Sequence, residues 1–343
     1  MSLPVPLKFK GAPGSPYTRK MLALLRYRRI PYELLIGDQA AESSLPNPKV
    51  NLLPTFYLPN DKGDIEAVVD STPLIRRFEA AFDGRRTIPG DPVMAFINYL
   101  LEDYGDEWLT KAMFHYRWYY EADIEMAGKI LPRWRNLNAT DESLIQMSRF
   151  ICDRQISRLH VVGSNDVTAP VIEDSYRRFL KIMDAVIEKQ TFLMGRRPGS
   201  ADFAVYAQLT QLVKFDPTPA AICMSEAPRV TAWVDVVDDL SGLRVEDEGF
   251  LARDVAKPVL GELLTEIGRV YVPALLANAK ALMSGKDKME TVIDGRAWAQ
   301  PTFPYQGKCL QWIRKEYKTL SDEDRAWVDT ILEGTGCELL FED

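Results

Sequence analysis

Apolar and polar positions alternate through Leu7-Lys8-Phe9-Lys10, which predicts a short strand. Ser15-Pro16 then has the form of an N-cap followed by proline at the first helical position. Tyr17, Met21, Leu24 and Leu25 recur with helical spacing on one face, and Arg26, Arg28 and Arg29 suit the negative end of that helix. Pro31 to Ile36 reads as a second strand. After a polar, Pro-rich stretch, Thr55 to Leu58 and Ala67 to Val69 read as two more, joined by the loop Asn60 to Asp64. Ser71-Thr72-Pro73 opens a helix with Leu74, Ile75 and Phe78 inside. This order predicts a small α/β sheet domain.

Gly84 to Pro92 is a linker by composition, and the chain beyond it is helical in pattern. Asp91-Pro92 starts a helix whose apolar face is Val93, Phe96, Ile97, Leu100, Leu101 and Tyr104. Further faces are Tyr176 to Ile187 and Phe203 to Val213, and Pro228 to Leu240 forms another helix ending at Ser241-Gly242. From about Leu243 a third section begins. Leu260 to Leu282 is helical, with Pro273 expected to kink or break it. Asp294-Gly295 between Thr291-Val292-Ile293 and Arg296-Ala297-Trp298 is a hairpin signal, and Ser321 caps a helix ending at Gly334. The division expected is therefore 1–84, 92–243 and 244–343, the last mostly helical with a short hairpin near 291–298.

Composition narrows the function. The 343 residues suit about two domains. Lys and Arg number 42 against 49 Asp and Glu, a net charge of −7. That balance argues against nucleic acid as a partner. The absence of an apolar run of about 18 residues argues against a membrane span. The first residues, Met1 to Lys8, do not read as a signal peptide, so a cytoplasmic location is expected. Cys152, Cys223, Cys309 and Cys337 are far apart and form no CxxC pair. With His115 and His160 the only histidines, no metal is expected.

The candidate chemistry lies in Gly14-Ser15-Pro16-Tyr17-Thr18-Arg19-Lys20, a loop entering a helix directly after a strand. A helix start offers unpaired N–H groups and a positive dipole end that stabilise a thiolate, and a hydroxyl there can donate to a substrate sulfur. Ser before Pro is equally the form of an ordinary cap, and both readings stand at this level.

Downstream motifs add to this: Leu52-Leu53-Pro54-Thr55-Phe56 at a strand mouth, Val68-Val69-Asp70-Ser71-Thr72-Pro73 from strand to helix, and Phe192 to Ala204 at a later helix start. With Ser15-Pro16-Tyr17 these resemble, over about residues 7 to 243, the cytosolic glutathione transferases. The resemblance implies a thioredoxin-like N-terminal domain that binds glutathione and an all-helical C-terminal domain, here followed by the extension. It implies that Ser15 holds the glutathione sulfur as thiolate, with Tyr17 the second candidate hydroxyl. It further implies that the backbone of Leu53, before a cis Pro54, pairs with the cysteinyl backbone. Asp70 accepts from the γ-glutamyl ammonium, Ser71 and its helix start bind the γ-glutamyl carboxylate, and Lys49 reaches the glycyl carboxylate.

Glutaredoxin-like relatives have Cys-Pro-Tyr-Cys where this chain has Ser15-Pro16-Tyr17-Thr18, so mixed-disulfide chemistry has no thiol at that site. Gly199 stands where the family has a capping Ser or Thr, and Asn51-Leu52 replaces its Gly-Lys. The crowded segment Trp108, Met113, Phe114, His115, Tyr116, Trp118, Tyr119 and Tyr120 reads either as helix core and dimer surface or, in part, as the wall of a pocket for a hydrophobic electrophile. The segments Phe114 to Trp118 and Tyr305 to Leu310 look like those of a longer bacterial-type subgroup. The resemblance implies a glutathione-using transferase and a homodimer. The alternative is a non-catalytic member of the same fold that carries a ligand or partner, and a weaker one is a peroxidase using the same thiolate.

Overall fold

The computed structural model describes residues 3–37, 44–246 and 248–342. The Pro-rich stretch after Ile36 lies partly outside them, as does the first half of the Met1-Ser2-Leu3-Pro4 start. Four strands, β1 (Leu7–Lys10), β2 (Tyr32–Leu35), β3 (Thr55–Pro59) and β4 (Ile65–Val68), form one sheet in the order β2-β1-β3-β4. β1 runs parallel to β2 and antiparallel to β3, and β3 pairs antiparallel with β4. The parallel pair needs a crossover, and α1 (Pro16–Arg28) supplies it. The alternation in β1 puts Leu7 and Phe9 in the core, and Phe9 stacks on its cross-strand partner Phe56 at 4.5 Å. α2 (Ser71–Ala81) closes this thioredoxin-like unit, burying Leu74, Ile75 and Phe78.

The helical unit comprises α3 (Pro92–Glu107), α4 (Leu109–Tyr119), α5 (Glu121–Arg135), α6 (Asp141–Ile156), α7 (Ala169–Lys189), α8 (Ser200–Leu212), α9 (Pro217–Glu226) and α10 (Pro228–Asp238). Asp91 caps α3 through Met94 N, as the Asp91-Pro92 pair predicts. Gly199 has no side chain to cap α8. The buried Asp202 carboxylate instead accepts from the N–H groups of Gly199 (2.8 Å) and Leu193 (2.6 Å), tying the preceding loop to the helix. Helix α8 is buried throughout and wedged between α1 and α3, so the sheet unit and the helical unit share one apolar core.

The last section is α11 (Arg253–Met283), the hairpin β5 (Lys288–Ile293) and β6 (Arg296–Pro301), α12 (Pro304–Thr319) and α13 (Asp322–Leu332). Asp294 (φ 51°) and Gly295 (φ 72°) both take positive φ, as a tight two-residue hairpin requires. The break allowed for at Pro273 does not occur. α11 runs uninterrupted through Pro258 and Pro273, with Val270, Tyr271, Val272, Ala274 and Leu275 all buried around the second proline. Burial on several sides outweighs the lost backbone bond. The extension packs on the helical unit: α11, α12 and α13 lie against α3. No helix among the described residues is long and apolar enough to cross a membrane.

Candidate functional site

Ser15 sits half-buried at the start of α1, where its Oγ accepts from Thr18 N at 3.2 Å, the cap that the sequence predicts. The same hydroxyl donates to the carbonyl of Leu53 at 3.3 Å, and the Leu53–Pro54 peptide is cis. Two segments 38 residues apart in sequence therefore meet at one hydroxyl. The loop before Ser15 is held from behind. Arg117 Nη1 donates to Gly14 O (3.2 Å), and both Gln211 Nε2 and Arg19 Nε donate to Pro13 O (3.3 and 3.1 Å). Arg117 is buried and makes a two-pronged contact with buried Asp216. A Cβ on Gly14 would lie 2.5 Å from Leu131 Cδ2, so this loop packs closely on side chains of α5.

Asp70, the residue before α2, has φ 83° and ψ 111°, a conformation costly for a residue with a side chain. Its carboxylate makes no cap bond to α2. Its Oδ2 instead accepts from the phenol of Tyr305 at 2.8 Å. Ser71 Oγ accepts from Lys20 Nζ at 3.0 Å, which leaves the Ser71 O–H as a donor. Lys20 is fully buried and also donates to Glu102 (2.7 Å) and Asp106 (2.6 Å), while Thr72 donates to Glu102 at 2.9 Å. Burial opposes the charge on Lys20, but the two carboxylates outweigh it and hold its pKa above the usual value. One cation serves two acids. Burial, with repulsion from Glu102, leaves the Asp106 carboxyl raised to about 6 despite Lys20.

The remaining site candidates are placed differently. The Tyr17 phenol is turned into the contact with the helical unit, donating to Asp106 O at 2.7 Å and lying 3.3 Å from Thr110 Oγ1. Burial and the nearby Glu107 and Asp106 hold its pKa well above the ordinary phenol value, so it stays protonated. Lys49 is exposed, on the segment before Leu53. Of the aromatic segment, Trp108, Tyr116 and Trp118 are buried in helix contacts. Trp108 donates to Ser175 at 3.2 Å, Tyr116 stacks on Tyr120, and His115 lies between Ser164 (2.8 Å) and Glu173 (3.2 Å). Cys223, Cys309 and Cys337 are buried free thiols and Cys152 a half-buried one.

The pattern of apolar residues gives no hint of the acidic face of α3. Glu102, Asp103, Asp106 and Glu107 are all buried. Tyr271 of α11 donates to Asp103 at 2.5 Å, and Gln306 of α12 donates to Glu107 at 3.2 Å. Burial raises the Asp103 carboxyl to about 7. Burial, then the charges of Asp103 and Asp106, raises Glu107 to about 8. Between α2, α3 and α12 lies a cleft of about 250 Å³, lined among others by Asp70, Arg76, Asp103, Tyr305 and Lys315.

Residues 10–86 match the glutathione S-transferase N-terminal domain, and residues 172–237 match the glutathione S-transferase C-terminal domain. Among solved structures, the chain is similar to a glutathione transferase from Burkholderia graminis with two glutathione molecules bound per subunit. The TM-score is 0.41 and the identity 15%, over 67% of this chain and 82% of that one. It is also similar to a glutathione transferase family member from Pseudomonas fluorescens with two glutathione bound, with TM-score 0.41 and 12% identity over 68% and 92%. A third is a glutathione S-transferase from Methylobacterium radiotolerans in complex with glutathione sulfonate, with TM-score 0.38 and 16% identity over 68% and 90%. No curated protein matches the chain.

Proposed function

The protein belongs to the glutathione S-transferase family, whose N- and C-terminal domains it carries in order, and we propose that it is a glutathione transferase in which Ser15 stabilises the glutathione thiolate for attack on a hydrophobic electrophile. In this reading residues 1–84 bind the tripeptide, and 92–243 with the extension wall the second substrate.

The observation that carries the reading is the bond from Ser15 Oγ to Leu53 O. The cysteinyl N–H of glutathione is a stronger match for that carbonyl, as a strand added at an edge. When it takes Leu53 O, the Ser15 O–H is released to point at the adjacent sulfur, while Ser15 still accepts from Thr18 N. The thiol then loses its proton to solvent, and the hydroxyl and the N–H groups at the start of α1 favour the anion. A pKa lowered by about 2 units corresponds to roughly 2.7 kcal/mol. The thiolate forms a bond to the electrophilic carbon, and the electron pair leaves with a displaced group or stays on the acceptor. Asp70 takes the γ-glutamyl ammonium, and the free O–H of Ser71 donates to the carboxylate. Lys49 lies on the glycyl side.

The same reading expects a cytoplasmic homodimer, which sedimentation checks. A non-catalytic carrier of the same fold is the rival, motivated by the buried aromatic segment and the extension. Calorimetry with glutathione, followed by turnover of a model aryl halide by wild type and Ser15→Ala, separates them. The reading requires binding by both and fast turnover by wild type alone. Binding without turnover in wild type supports the carrier.

A further inference from the structure

Tyr305 and Asp70 are 235 positions apart, and the phenol comes from the extension rather than from either matched domain. We infer that Tyr305 is a positioning residue for the amino-acid end of glutathione. It fixes the Asp70 carboxylate through Oδ2 and leaves Oδ1 to the γ-glutamyl ammonium, which lodges at the cleft between α2, α3 and α12. This rests on the proposed function and adds a residue of the extension to its substrate site.

Four observations carry it. The first is the Asp70 backbone, held at φ 83°, which aims the carboxylate away from the cap position of α2 and toward α12. The second is that the phenol remains a donor: burial, then the charge of Asp70, pushes its pKa far above the usual value. The third is the rigidity of its mount. Buried Asn278 of α11 donates to Phe303 O (2.9 Å) and accepts from Phe303 N (2.8 Å), fixing the chain where α12 begins. The Tyr305 ring packs edge-on against Trp312 at 5.8 Å. The fourth is the lining of the cleft, where Asp70 and Glu316 stand with Arg76 and Lys315, Arg76 lying 3.8 Å from Glu316. An α-amino acid head carries one charge of each sign on adjacent atoms, and this lining offers both. A carboxylate accepts several hydrogen bonds, so the phenol and an ammonium share Asp70 without displacement.

The test uses the full-length chain, wild type and Tyr305→Phe, and two ligands: glutathione and N-acetylglutathione, which has the same thiol but no ammonium. Calorimetry reads the ratio of the two affinities within each protein, so a poorly folded fraction cancels. Wild type is expected to prefer glutathione by roughly tenfold or more, and Tyr305→Phe to bring that preference close to parity by weakening glutathione alone. A preference unchanged in the variant, an equal loss for both ligands, or tighter glutathione binding by the variant overturns the role of Tyr305. So does a wild type that binds both ligands equally, while the glutathione reading stands. A wild type that binds neither ligand at millimolar concentration overturns the glutathione reading itself, and this inference with it.

Discussion

Ser15 Oγ lies 3.3 Å from the carbonyl of Leu53 and 3.2 Å from the N–H of Thr18, so one hydroxyl both caps a helix and touches the cis-proline segment. The two duties have separate readouts. Ser15→Ala is expected to cost about 1 kcal/mol of stability through the lost cap. It is also expected to slow turnover of a model electrophile by roughly tenfold or more and to raise the pKa of bound glutathione, followed by the ultraviolet absorbance of the thiolate. A variant that loses stability but keeps the wild-type thiolate titration would leave Ser15 as a cap only.

Arg117 reaches the same loop from behind through Gly14 O and is anchored on Asp216. Arg117→Lys keeps the charge and loses the forked geometry. The expected result is glutathione affinity within about twofold of wild type and kcat lower by roughly tenfold, because the sulfur is bound but poorly aimed. A change confined to KM argues against this.

Lys20 joins α1, α2 and α3 through Ser71, Glu102 and Asp106. Lys20→Met removes the cation bonded to both Glu102 and Asp106 and leaves two buried carboxylates without it. We expect a loss of about 3–5 kcal/mol in urea unfolding. A loss below about 1 kcal/mol would falsify the view that this cluster ties the two units together.

Burial pushes the Asp103 and Glu107 carboxyls up to about 7 and about 8, above their unfolded values of about 3.9 and 4.3. The folded state thus binds more protons than the unfolded one over this range. Their contribution is fully present below about pH 4 and is lost as pH rises through 7 and 8. Buried Lys111, lowered to about 8, works in the opposite sense only above that. Stability by urea unfolding is expected to fall between about pH 5 and pH 8, and Glu107→Gln to flatten the fall. A profile that rises over this window, or a variant with the wild-type slope, counts against the buried acids as its cause.

The elements legible in the sequence, in all three sections, carry local signals. Leu7 to Lys10 alternates, Ser15-Pro16 and Asp91-Pro92 are caps beside their helices, and Asp294-Gly295 is a turn by its own backbone preference. Nothing local in the sequence signals the Ser15–Leu53 contact; the resemblance in motif order implies only that both residues serve one site. Lys20 and the four acids of α3 were missed because helical periodicity ranks residues by apolar character, and a charge neutralised inside the fold looks like a charge in water. A signal was available: Glu102, Asp103, Asp106 and Glu107 crowd the end of a helix whose other positions are almost all apolar. Tyr305 carried no local sign of its partner, since only the course of α11 and the hairpin brings α12 back to Asp70. Pro273 does not end α11, whose residues on both sides of it are buried, a tertiary context that the sequence alone does not carry.

Helix α3 has α8 on one flank and α11, α12 and α13 on another. Two of its acids, Asp103 and Glu107, take their hydrogen bonds from Tyr271 and Gln306, residues beyond 270, while Glu102 and Asp106 are held by Lys20 of α1. During synthesis, then, the groove on α3 that holds Asp103 and Glu107 stays open until α11 and α12 have emerged to cover it. The order of emergence makes the extension the last piece of the interior rather than an ornament added to a finished molecule.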